Sequence, residues 1–458
     1  MRDFKPYLIQ GGGNGRFSVR PRKQRAEGRE KDGAILKIGE AAMSGRSCSL
    51  CVCVLVLLAL VWPAFALGST ASSTPQQGRE DVGDISWTLG LRLYRALRAD
   101  GIQNPLFSPL LLATSLAAVG GRAGGSTARQ FQEALNSSAL PLSDQWEALS
   151  RALKSARAAN GTSFNLHSSS AVFTKQAPSL NQQFLEEAQT RSLLEHVPLG
   201  PGDSQADLDT LLTWAKRGMG GDKGAELTGE IKAESGGLIL AHALHFRGVW
   251  DRGFDEDHQD LRTFLGTKYT KVPMIYRAGV YRHWEDMVNM VQVIELQLWG
   301  GKASLVLLLP FHVEPLSRLE RLLTPTLLGV WLKELSNMSM AISLPRTTLS
   351  STLNLQKHLS ALGLTDAWDE GKADFSGVTG QPGGGEGKLH LGGVLHWASL
   401  ELSPEGGPDE AEDEEVGRPK MFYADHSFIV LVKDNATGAL LLMGALDQAE
   451  GPALHDEL

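Results

Sequence analysis

The stretch His242-Ala243-Leu244-His245-Phe246-Arg247-Gly248-Val249-Trp250 closes an apolar run that begins at Leu238. An apolar run of this length, rich in aliphatic and aromatic residues, predicts a buried β-strand over Leu238 to Phe246. The same pattern recurs towards the C-terminus. It predicts further strands at Ser304 to Leu309, Ala341 to Leu344, Phe428 to Val432 and Leu440 to Met443, the last two joined around the turn Asp434 to Gly438.

The N-terminal part of the chain is predicted to be helical. Asp84 is a candidate N-cap, Gly101 is a candidate terminator, and apolar residues recur between them at helical spacing: Ile85, Leu89, Leu93 and Leu97. A second helix is expected near Ser108-Pro109, because proline is tolerated in a first helical turn. Helices followed by strands indicate an α+β fold. No linker or repeat divides the chain, so we expect one domain over residues 81–447.

Three separated stretches resemble the serpin family. Asn104-Pro105-Leu106-Phe107-Ser108-Pro109 resembles the entry to the family's second helix, and residues 242–250 resemble its Asn-Ala-x-Tyr-Phe-Lys-Gly-x-Trp pattern, with His242 replacing the asparagine. Phe422 to Gly444 resembles the C-terminal signature, with Ser427 where the family has proline. The match extends over residues 80–447. The resemblance implies helices around three β-sheets, with an exposed reactive-centre loop before the last strands.

The reactive-centre loop decides whether a serpin inhibits proteases, because inhibition requires the loop to insert into the main sheet. In inhibitors of the family, Gly-Thr-Glu is followed by an alanine-rich run. This chain instead has Pro404-Glu405-Gly406-Gly407-Pro408-Asp409-Glu410-Ala411-Glu412-Asp413-Glu414-Glu415. Pro408 lacks a ladder donor, and buried unpaired carboxylates would cost roughly several kcal/mol each. We therefore predict a non-inhibitory serpin. The acidic run is interpreted as a solvated loop, with a site for a basic partner as the alternative.

Two runs resemble one branch of the family, the collagen-binding chaperones of the serpin H clade. They are Lys420-Met421-Phe422-Tyr423-Ala424-Asp425-His426 and His312-Val313-Glu314-Pro315-Leu316, the latter followed by Arg318-Leu319-Glu320. The resemblance implies a chaperone that binds the procollagen triple helix, with Asp425 gripping an arginine of the ligand. The other contacts that it implies are Tyr423, Met421, Arg262, Leu265 and Ser343.

The chemistry of residues 421–425 supports such a site independently. In a strand, Met421, Tyr423 and Asp425 would share one face and present an apolar, an aromatic and an anionic group in a row. A triple helix exposes only its X and Y side chains, and a carboxylate can accept two parallel hydrogen bonds from arginine but not from lysine. Asp425 therefore predicts a requirement for arginine in the Gly-X-Y repeats. On spacing alone, a turn residue at Asp425 and a packing aromatic at Tyr423 remain open.

Release of the ligand is expected to depend on pH, because histidine gains charge around pH 6.5. The candidates for this switch are His312, His396 and His426. The resemblance places Phe311 and Tyr276 where the clade has histidines, so this chain departs from the clade in the switch region. Among the implied contacts, Met421 stands where the clade has leucine and Leu265 where it has methionine, and binding is expected to be kept.

The ends of the chain indicate the secretory pathway. Leu50 to Ala66 is apolar, follows Arg46 and ends in Ala64-Phe65-Ala66, which predicts a signal peptide over residues 43–66, with a membrane anchor as the alternative. Residues 1–42 are interpreted as an upstream extension outside the fold, residues 67–80 as a flexible N-terminus and residues 448–458 as a tail. The last four residues predict retention in the endoplasmic reticulum lumen through a retention-signal receptor: His455, Asp456, Glu457 and Leu458.

Several further expectations follow from composition. The three cysteines, Cys48, Cys51 and Cys53, all fall in the signal segment, so the mature chain would contain no disulfide. Removal of residues 1–68 would change the net charge from −8 to −14, which argues against nucleic acid and favours a basic partner. We expect a monomer with no cofactor and no membrane insertion after signal cleavage. Sequons make it a candidate glycoprotein at Asn136, Asn160, Asn337 and Asn435.

Two other functional classes are alternatives to the chaperone. A protease inhibitor of the secretory pathway is the alternative. An enzyme is not expected, because the chain has no Gly-x-Ser-x-Gly elbow and no phosphate-binding loop. His242 and His245 are three residues apart, but a strand would point them to opposite faces and no third ligand is in evidence, so we predict structural histidines and no metal site.

Overall fold

The computed structural model describes residues 75–135, 140–175, 179–200, 204–221, 237–380, 389–408 and 417–453. The predicted upstream extension, signal peptide and retention tetrapeptide, the sequon at Asn136 and the acidic run from Asp409 lie outside these residues. Chain contacts group Ala71–Leu458 into one compact unit.

The described residues form ten α-helices, two 3-10 turns (Trp299–Gly301 and Asp366–Trp368) and fourteen strands. The helices are α1 Pro75–Ala99, α2 Pro109–Gly120, α3 Gly125–Ala134, α4 Leu142–Ala158, α5 Gln182–Ser192, α6 Ser204–Gly218, α7 Ser317–Leu322, α8 Pro325–Glu334, α9 Gln356–Ala361 and α10 Ser376–Thr379. The strands are β1 Leu106–Phe107, β2 Phe164–Lys175, β3 Leu194–Leu199, β4 Gly237–Gly248, β5 Asp255–Leu265, β6 Tyr269–Asp286, β7 Val291–Gln297, β8 Ala303–Pro310, β9 Ser336–Pro345, β10 Thr347–Asn354, β11 His390–Leu402, β12 Lys420–Tyr423, β13 Phe428–Asp434 and β14 Leu440–Leu446.

The strands join into two hydrogen-bonded sheets within the described part of the chain. One has nine strands in the order β1-β14-β13-β8-β7-β6-β9-β12, with β5 also paired to β6. The other has five strands in the order β10-β11-β4-β2-β3. The resemblance implied three sheets. Two of the three are continuous here, because the 18-residue strand β6 pairs along its length with β5, β9 and β7. The mixed α+β fold itself is confirmed.

The first two helices follow the sequence prediction closely. Within α1 the predicted apolar stripe is buried, since Ile85, Leu89, Leu93 and Leu97 are at most 4% exposed. The N-cap predicted at Asp84 is wrong, because α1 already begins at Pro75. Helix α2 begins as expected: the Ser108 side chain accepts a hydrogen bond from the Leu111 N–H, and Pro109 occupies the first turn.

Helix α2 is buried along its whole length, chiefly against α4, α1 and β14, and it also contacts β4 of the five-stranded sheet. We call the parallel ladder between β4 and β11 the seam. It runs without a gap from the Gly237–His390 pair to the Arg247–Glu401 pair, with one irregularity after Leu391. In the part of the chain that the structure describes, no helix is long and apolar enough to cross a membrane.

Candidate functional site

Strand β12 turns one row of side chains outward. Met421 is 48% exposed, whereas Phe422 and Ala424 are completely buried. Tyr423 is half-buried, and the Asp425 side chain keeps 35% of its surface exposed just beyond the strand. The predicted alternation is therefore confirmed: an apolar, an aromatic and an anionic group stand in a row on the outer side.

Strand β9 supports β12 from the side. The two strands pair in parallel, with Tyr423 opposite Ser343. The Ala424 N–H donates to the Ser343 carbonyl at 2.9 Å, which extends the ladder by one residue. Ser343 is only 3% exposed, and it lies between Tyr423 on β12 and Tyr276 on β6. It therefore offers a ligand little surface of its own. At the start of β12, the Lys420 ammonium lies 2.9 Å from the Glu285 carboxylate.

Strand β5 brings two more predicted residues to the same place. The Arg262 guanidinium lies over the Tyr423 ring, 5.3 Å from its centroid. The Leu265 N–H donates to the Asp425 carbonyl at 2.7 Å. Strands distant in sequence thus converge, and we call the outward-facing set the binding face: Met421, Tyr423, Asp425, Arg262 and Leu265.

The Asp425 carboxylate is coupled to the ring of the next residue. Nδ1 of His426 lies 2.9 Å from Oδ1 of Asp425, and Nε2 of His426 lies 2.9 Å from the carbonyl oxygen of Pro310. Both partners are acceptors, so the imidazole satisfies both contacts only when each nitrogen carries a proton. A doubly protonated His426 would therefore hold Asp425 Oδ1 in an internal ion pair.

Glu314 is a further charged group beside this ring. A hydrogen bond from Arg318 lowers the pKa of Glu314, and His312 and His426 lower it further by their charge. Glu314 therefore stays ionised near neutral pH and keeps a negative charge beside His312 and His426. His312 itself is exposed on the segment after β8.

His396 does not belong with the other switch candidates. It is completely buried in the seam, where the Ser108 N–H donates to its Nε2 at 3.0 Å. Burial, together with the neighbouring His242, holds the pKa of His396 well below its usual range. The ring thus remains neutral in mild acid, and we remove His396 from the pH-switch candidates.

His242 and His245 point to opposite faces of β4, as expected. Nε2 of His242 lies 2.6 Å from Oγ of Ser115 in α2, whereas His245 stacks with His167 at 6.3 Å between ring centroids. Among the described residues, no group of three or more His, Cys, Asp or Glu side chains could hold a metal ion.

The base of the predicted reactive-centre loop follows β11 and is held by the segment after β4, outside the five-stranded sheet. We call Ser403–Gly407 the loop base. Nε1 of Trp250 donates to the Ser403 carbonyl at 2.6 Å, and the Phe254 N–H donates to the Pro404 carbonyl at 2.8 Å. The Gly407 N–H donates to the Trp250 carbonyl at 2.9 Å. A side chain at Gly407 would collide with the indole of Trp299, so glycine is needed there.

The sequons differ in how free their amides are. Asn160 and Asn337 are exposed. The side chain of Asn435 is half-buried, and its Nδ2 donates to Gln297 Oε1 at 3.0 Å and to the Gly301 carbonyl at 3.1 Å. A glycan on Asn435 would replace one of the two Nδ2 hydrogens and therefore break at least one of these bonds.

Sequence reasoning missed two features of the site. One is the stack of Arg262 on Tyr423, and the other is the bond from His426 to the Pro310 carbonyl, 116 residues away in the chain. No local pattern signals such contacts, because strand register and the path of the chain after β12 create them.

Comparison with known proteins gives a consistent result. The sequence profile of a family described as Serpin (serine protease inhibitor) matches residues 85–448. Serpin H1 of Gallus gallus is 33% identical over 412 residues, covering 87% of this chain and 100% of that protein. Serpin H1 of Mus musculus is 34% identical over 385 residues, covering 82% of this chain and 90% of that protein.

Solved structures agree on the fold. Mouse protein-Z dependent protease inhibitor is similar with a TM-score of 0.73 and 21% identity, covering 81% of this chain and 99% of that structure. Uncleaved ovalbumin is similar with a TM-score of 0.70 and 21% identity, covering 80% of this chain and 99% of that structure.

Proposed function

The chain belongs to the serpin family, and from that premise we propose that it is a non-inhibitory serpin that binds the triple helix of procollagen as a chaperone. The observation that carries this proposal is the binding face, in which a carboxylate, an aromatic ring and an aliphatic side chain form one exposed row beside an arginine. The similarity to two Serpin H1 proteins supports the assignment within the family.

The shape and chemistry of a triple helix match such a face. Glycine fills the axis of the rod, so a protein that reads the folded form meets only X and Y side chains. Met421 and Tyr423 would cover apolar surface of the rod, and Asp425 would take a guanidinium through two parallel hydrogen bonds. A lysine ammonium cannot reproduce that geometry, so the ligand needs arginine.

The closed seam and the anchored loop base support a non-inhibitory role. Insertion of the loop would have to separate β4 from β11 along a ladder with a single irregularity, after Leu391, and release the loop base from Trp250 and Phe254. Pro404 and Pro408 could not donate to a new ladder. A protease inhibitor is the alternative, and an SDS-resistant complex with a trypsin-like protease would favour it.

Acidification is expected to weaken binding through His426. As the ring gains its second proton, it forms the ion pair with Asp425 described above and competes with the arginine of the ligand. The negative charge of Glu314, which interacts with both His426 and His312, also acts on this step. An affinity that stays constant from about pH 7.5 to about pH 5.5, the range around the ordinary histidine pKa, would contradict this mechanism.

The remaining parts of the proposal concern the cell. We propose residence in the endoplasmic reticulum lumen as a monomeric glycoprotein, with retrieval by a retention-signal receptor. Immunolocalisation of the wild type and of a variant without residues 455–458 tests retention. Glycopeptide mass spectrometry tests the sequons, with occupancy expected at Asn160 and Asn337 but not at Asn435, whose amide is engaged.

The deciding experiment is a pull-down on two triple-helical peptides that differ only in arginine or lysine at one Y position. The wild type should retain the arginine peptide much better than the lysine peptide. Asp425→Asn should bind both weakly, because the charge-assisted bonds contribute about 1.5–3 kcal/mol each. Asp209→Asn, an exposed aspartate on α6, is the matched control and should behave as the wild type. Equal binding of both peptides by the wild type and by Asp425→Asn would show that Asp425 makes no ionic contact with an arginine of the ligand.

A further inference from the structure

The binding face contains one sulfur atom, in the thioether of Met421. Met421 is 48% exposed on β12. The other members of the binding face, Tyr423, Asp425, Arg262 and Leu265, contain no sulfur. Peroxides oxidise the sulfur of an accessible methionine under mild conditions. Met421 is therefore the position of the binding face at which such an oxidant acts.

The surroundings of Met421 leave its side chain open to solvent. β12 is the last strand in the order of the nine-stranded sheet, so within the described residues only one side of it pairs with another strand. On that side Met421 is in register with Ala341 of β9, and Ala341 is in register with Ala278 of β6. Register partners point to the same face of a sheet, and alanine side chains are too short to cover a thioether. A dissolved peroxide can thus reach the sulfur.

Four other methionines of the described chain are protected by burial. Met340 lies in the neighbouring strand β9 and is completely buried, as is Met443 in β14. Met219 and Met274 are at most 2% exposed. Met287, on the turn between β6 and β7, is 63% exposed but lies outside the binding face. It supplies an exposed methionine against which Met421 can be compared.

Transfer of one oxygen atom would change the chemistry of this position. The O–O bond of hydrogen peroxide breaks, a sulfur–oxygen bond forms, the sulfur loses two electrons and the peroxide is reduced to water. The product, methionine sulfoxide, is polar where the thioether is apolar. Against the apolar surface of a triple helix, the sulfoxide oxygen would lose its water and gain no hydrogen bond, which costs free energy.

We propose that Met421 is a reversible oxidation site and that its sulfoxide form binds procollagen weakly. This inference rests on the proposed function, because it assigns a regulation to the same binding face. Reduction by a methionine sulfoxide reductase, with two electrons from a thiol and release of the oxygen as water, restores the thioether. Leucine, which the serpin H clade has at this position, fills a similar volume without a sulfur, so the sensitivity belongs to this chain.

Oxidation of Met421 should act on binding and not on the fold. The side chain stands outside the core, so its sulfoxide stays hydrated in the free protein, and exposed changes of this kind leave stability nearly unchanged. Oxidation of the buried Met340 would instead put a polar group into the core. Loss of affinity without loss of stability therefore distinguishes Met421 from a methionine of the core.

The test measures the affinity of the full-length protein for the arginine peptide before and after hydrogen peroxide at neutral pH. Peptide mass spectrometry should find sulfoxide at Met421 and Met287 but not at Met340. The wild-type affinity should fall at least about tenfold, because an unpaired polar group is buried on binding. The urea unfolding midpoint should not change. The two sulfoxide reductases, one for each epimer, should restore the affinity.

Two leucine variants identify the sulfur that is responsible. In Met421→Leu, the affinity after peroxide should equal the affinity of the same variant before peroxide. Met287→Leu is the matched control, and peroxide should weaken its binding as much as it weakens that of the wild type. If Met421→Leu stayed sensitive, or if Met287→Leu alone gave protection, the responsible group would lie elsewhere and the proposal would be overturned.

Failure of this inference can be told apart from failure of the proposed function. An untreated wild type that does not bind the arginine peptide refutes the proposed function, and this inference with it. An untreated wild type that binds, and whose affinity is unchanged once Met421 is fully oxidised, refutes the inference alone. A Met421 that stays reduced while Met287 is oxidised also refutes the inference alone.

Discussion

The binding face and the seam contain histidines in opposite environments. At the face, His426 touches the half-exposed carboxylate of Asp425 and lies near the ionised Glu314. In the seam, His242 and His396 are register partners with no exposed surface, and their rings lie 5.6 Å apart beside α2. The neighbours of a histidine, and not its residue type, therefore decide whether it can act in a pH switch or serves as a neutral core residue.

The largest expected effect is a loss of stability, in a variant that damages packing beside the seam and leaves the binding face intact. Phe246 is 1% exposed in β4 and packs on Phe164 with ring centroids 5.0 Å apart. Phe246→Ala should lower the free energy of unfolding by about 3–5 kcal/mol, because a large buried ring is lost and a cavity remains. Urea unfolding at neutral pH measures the change.

The matched variant on the face is Met421→Ala, which removes an exposed side chain. It should change stability by at most about 0.5 kcal/mol, as exposed substitutions do. Folded Phe246→Ala should still bind the arginine peptide with wild-type affinity. If the two variants were equally unstable, the division into a supporting seam and a recognising face would be wrong.

The second prediction concerns the stability of the fold in acid. Burial, only partly offset by the backbone of Leu395, lowers the pKa of His242 to about 4. The unfolded chain, with an ordinary pKa of about 6.5, therefore binds the proton first as pH falls. Stability is lost from about pH 6.5 down to about pH 4, at about 1.4 kcal/mol per unit and up to about 3 kcal/mol in total. His242→Asn removes this contribution, whereas the buried His396 keeps its own.

Urea unfolding at several values from neutral to about pH 4 would reveal the difference in slope. His312→Asn, at an exposed histidine, is the control and should keep the steep wild-type slope. Parallel curves for the wild type and His242→Asn would mean that the buried ring is not the acid-sensitive group of the seam.

Much of the fold could be predicted from the sequence, because local patterns specify it. The apolar run from Leu238 became β4, and the row of Met421 and Tyr423 was fixed by the two-residue period of a strand. The start of α1 could not be predicted, because residues before Asp84 continue the helix without an apolar stripe. A capping residue by itself is a weak signal inside such a segment.

The site was harder to predict than the fold, since its contacts depend on register. Arg262 meets Tyr423 only because β5 and the end of β12 converge, and neither residue carries a local sign of the other. The burial of Ser343 likewise follows from its position between Tyr276 and Tyr423 on neighbouring strands. Sequence resemblance supplied these residues without their geometry.

The third prediction tests recognition at the face. Tyr423→Ala should weaken binding of the arginine peptide by about 2 kcal/mol, roughly 30-fold, because a rigid aromatic contact at the centre of an interface is lost. The free energy of unfolding should change by less than about 1 kcal/mol. Surface plasmon resonance on the immobilised peptide gives the affinity. Tyr269→Ala, at an exposed tyrosine outside the face, is the control. An equal loss in both variants would argue against a localised face.

The smallest effect should come from Arg262→Lys, which keeps the charge but loses the planar group over Tyr423. A cation over an exposed ring contributes about 0.5–1 kcal/mol, and lysine is the weaker partner because its compact ammonium is strongly hydrated. The affinity for the arginine peptide should therefore fall two- to fivefold through a less ordered Tyr423, an effect that calorimetry can resolve. In a Tyr423→Ala background the same substitution should have no effect, because the ring that Arg262 orders is gone. If Arg262→Lys reduced affinity equally in both backgrounds, Arg262 would act on the ligand directly and not through Tyr423.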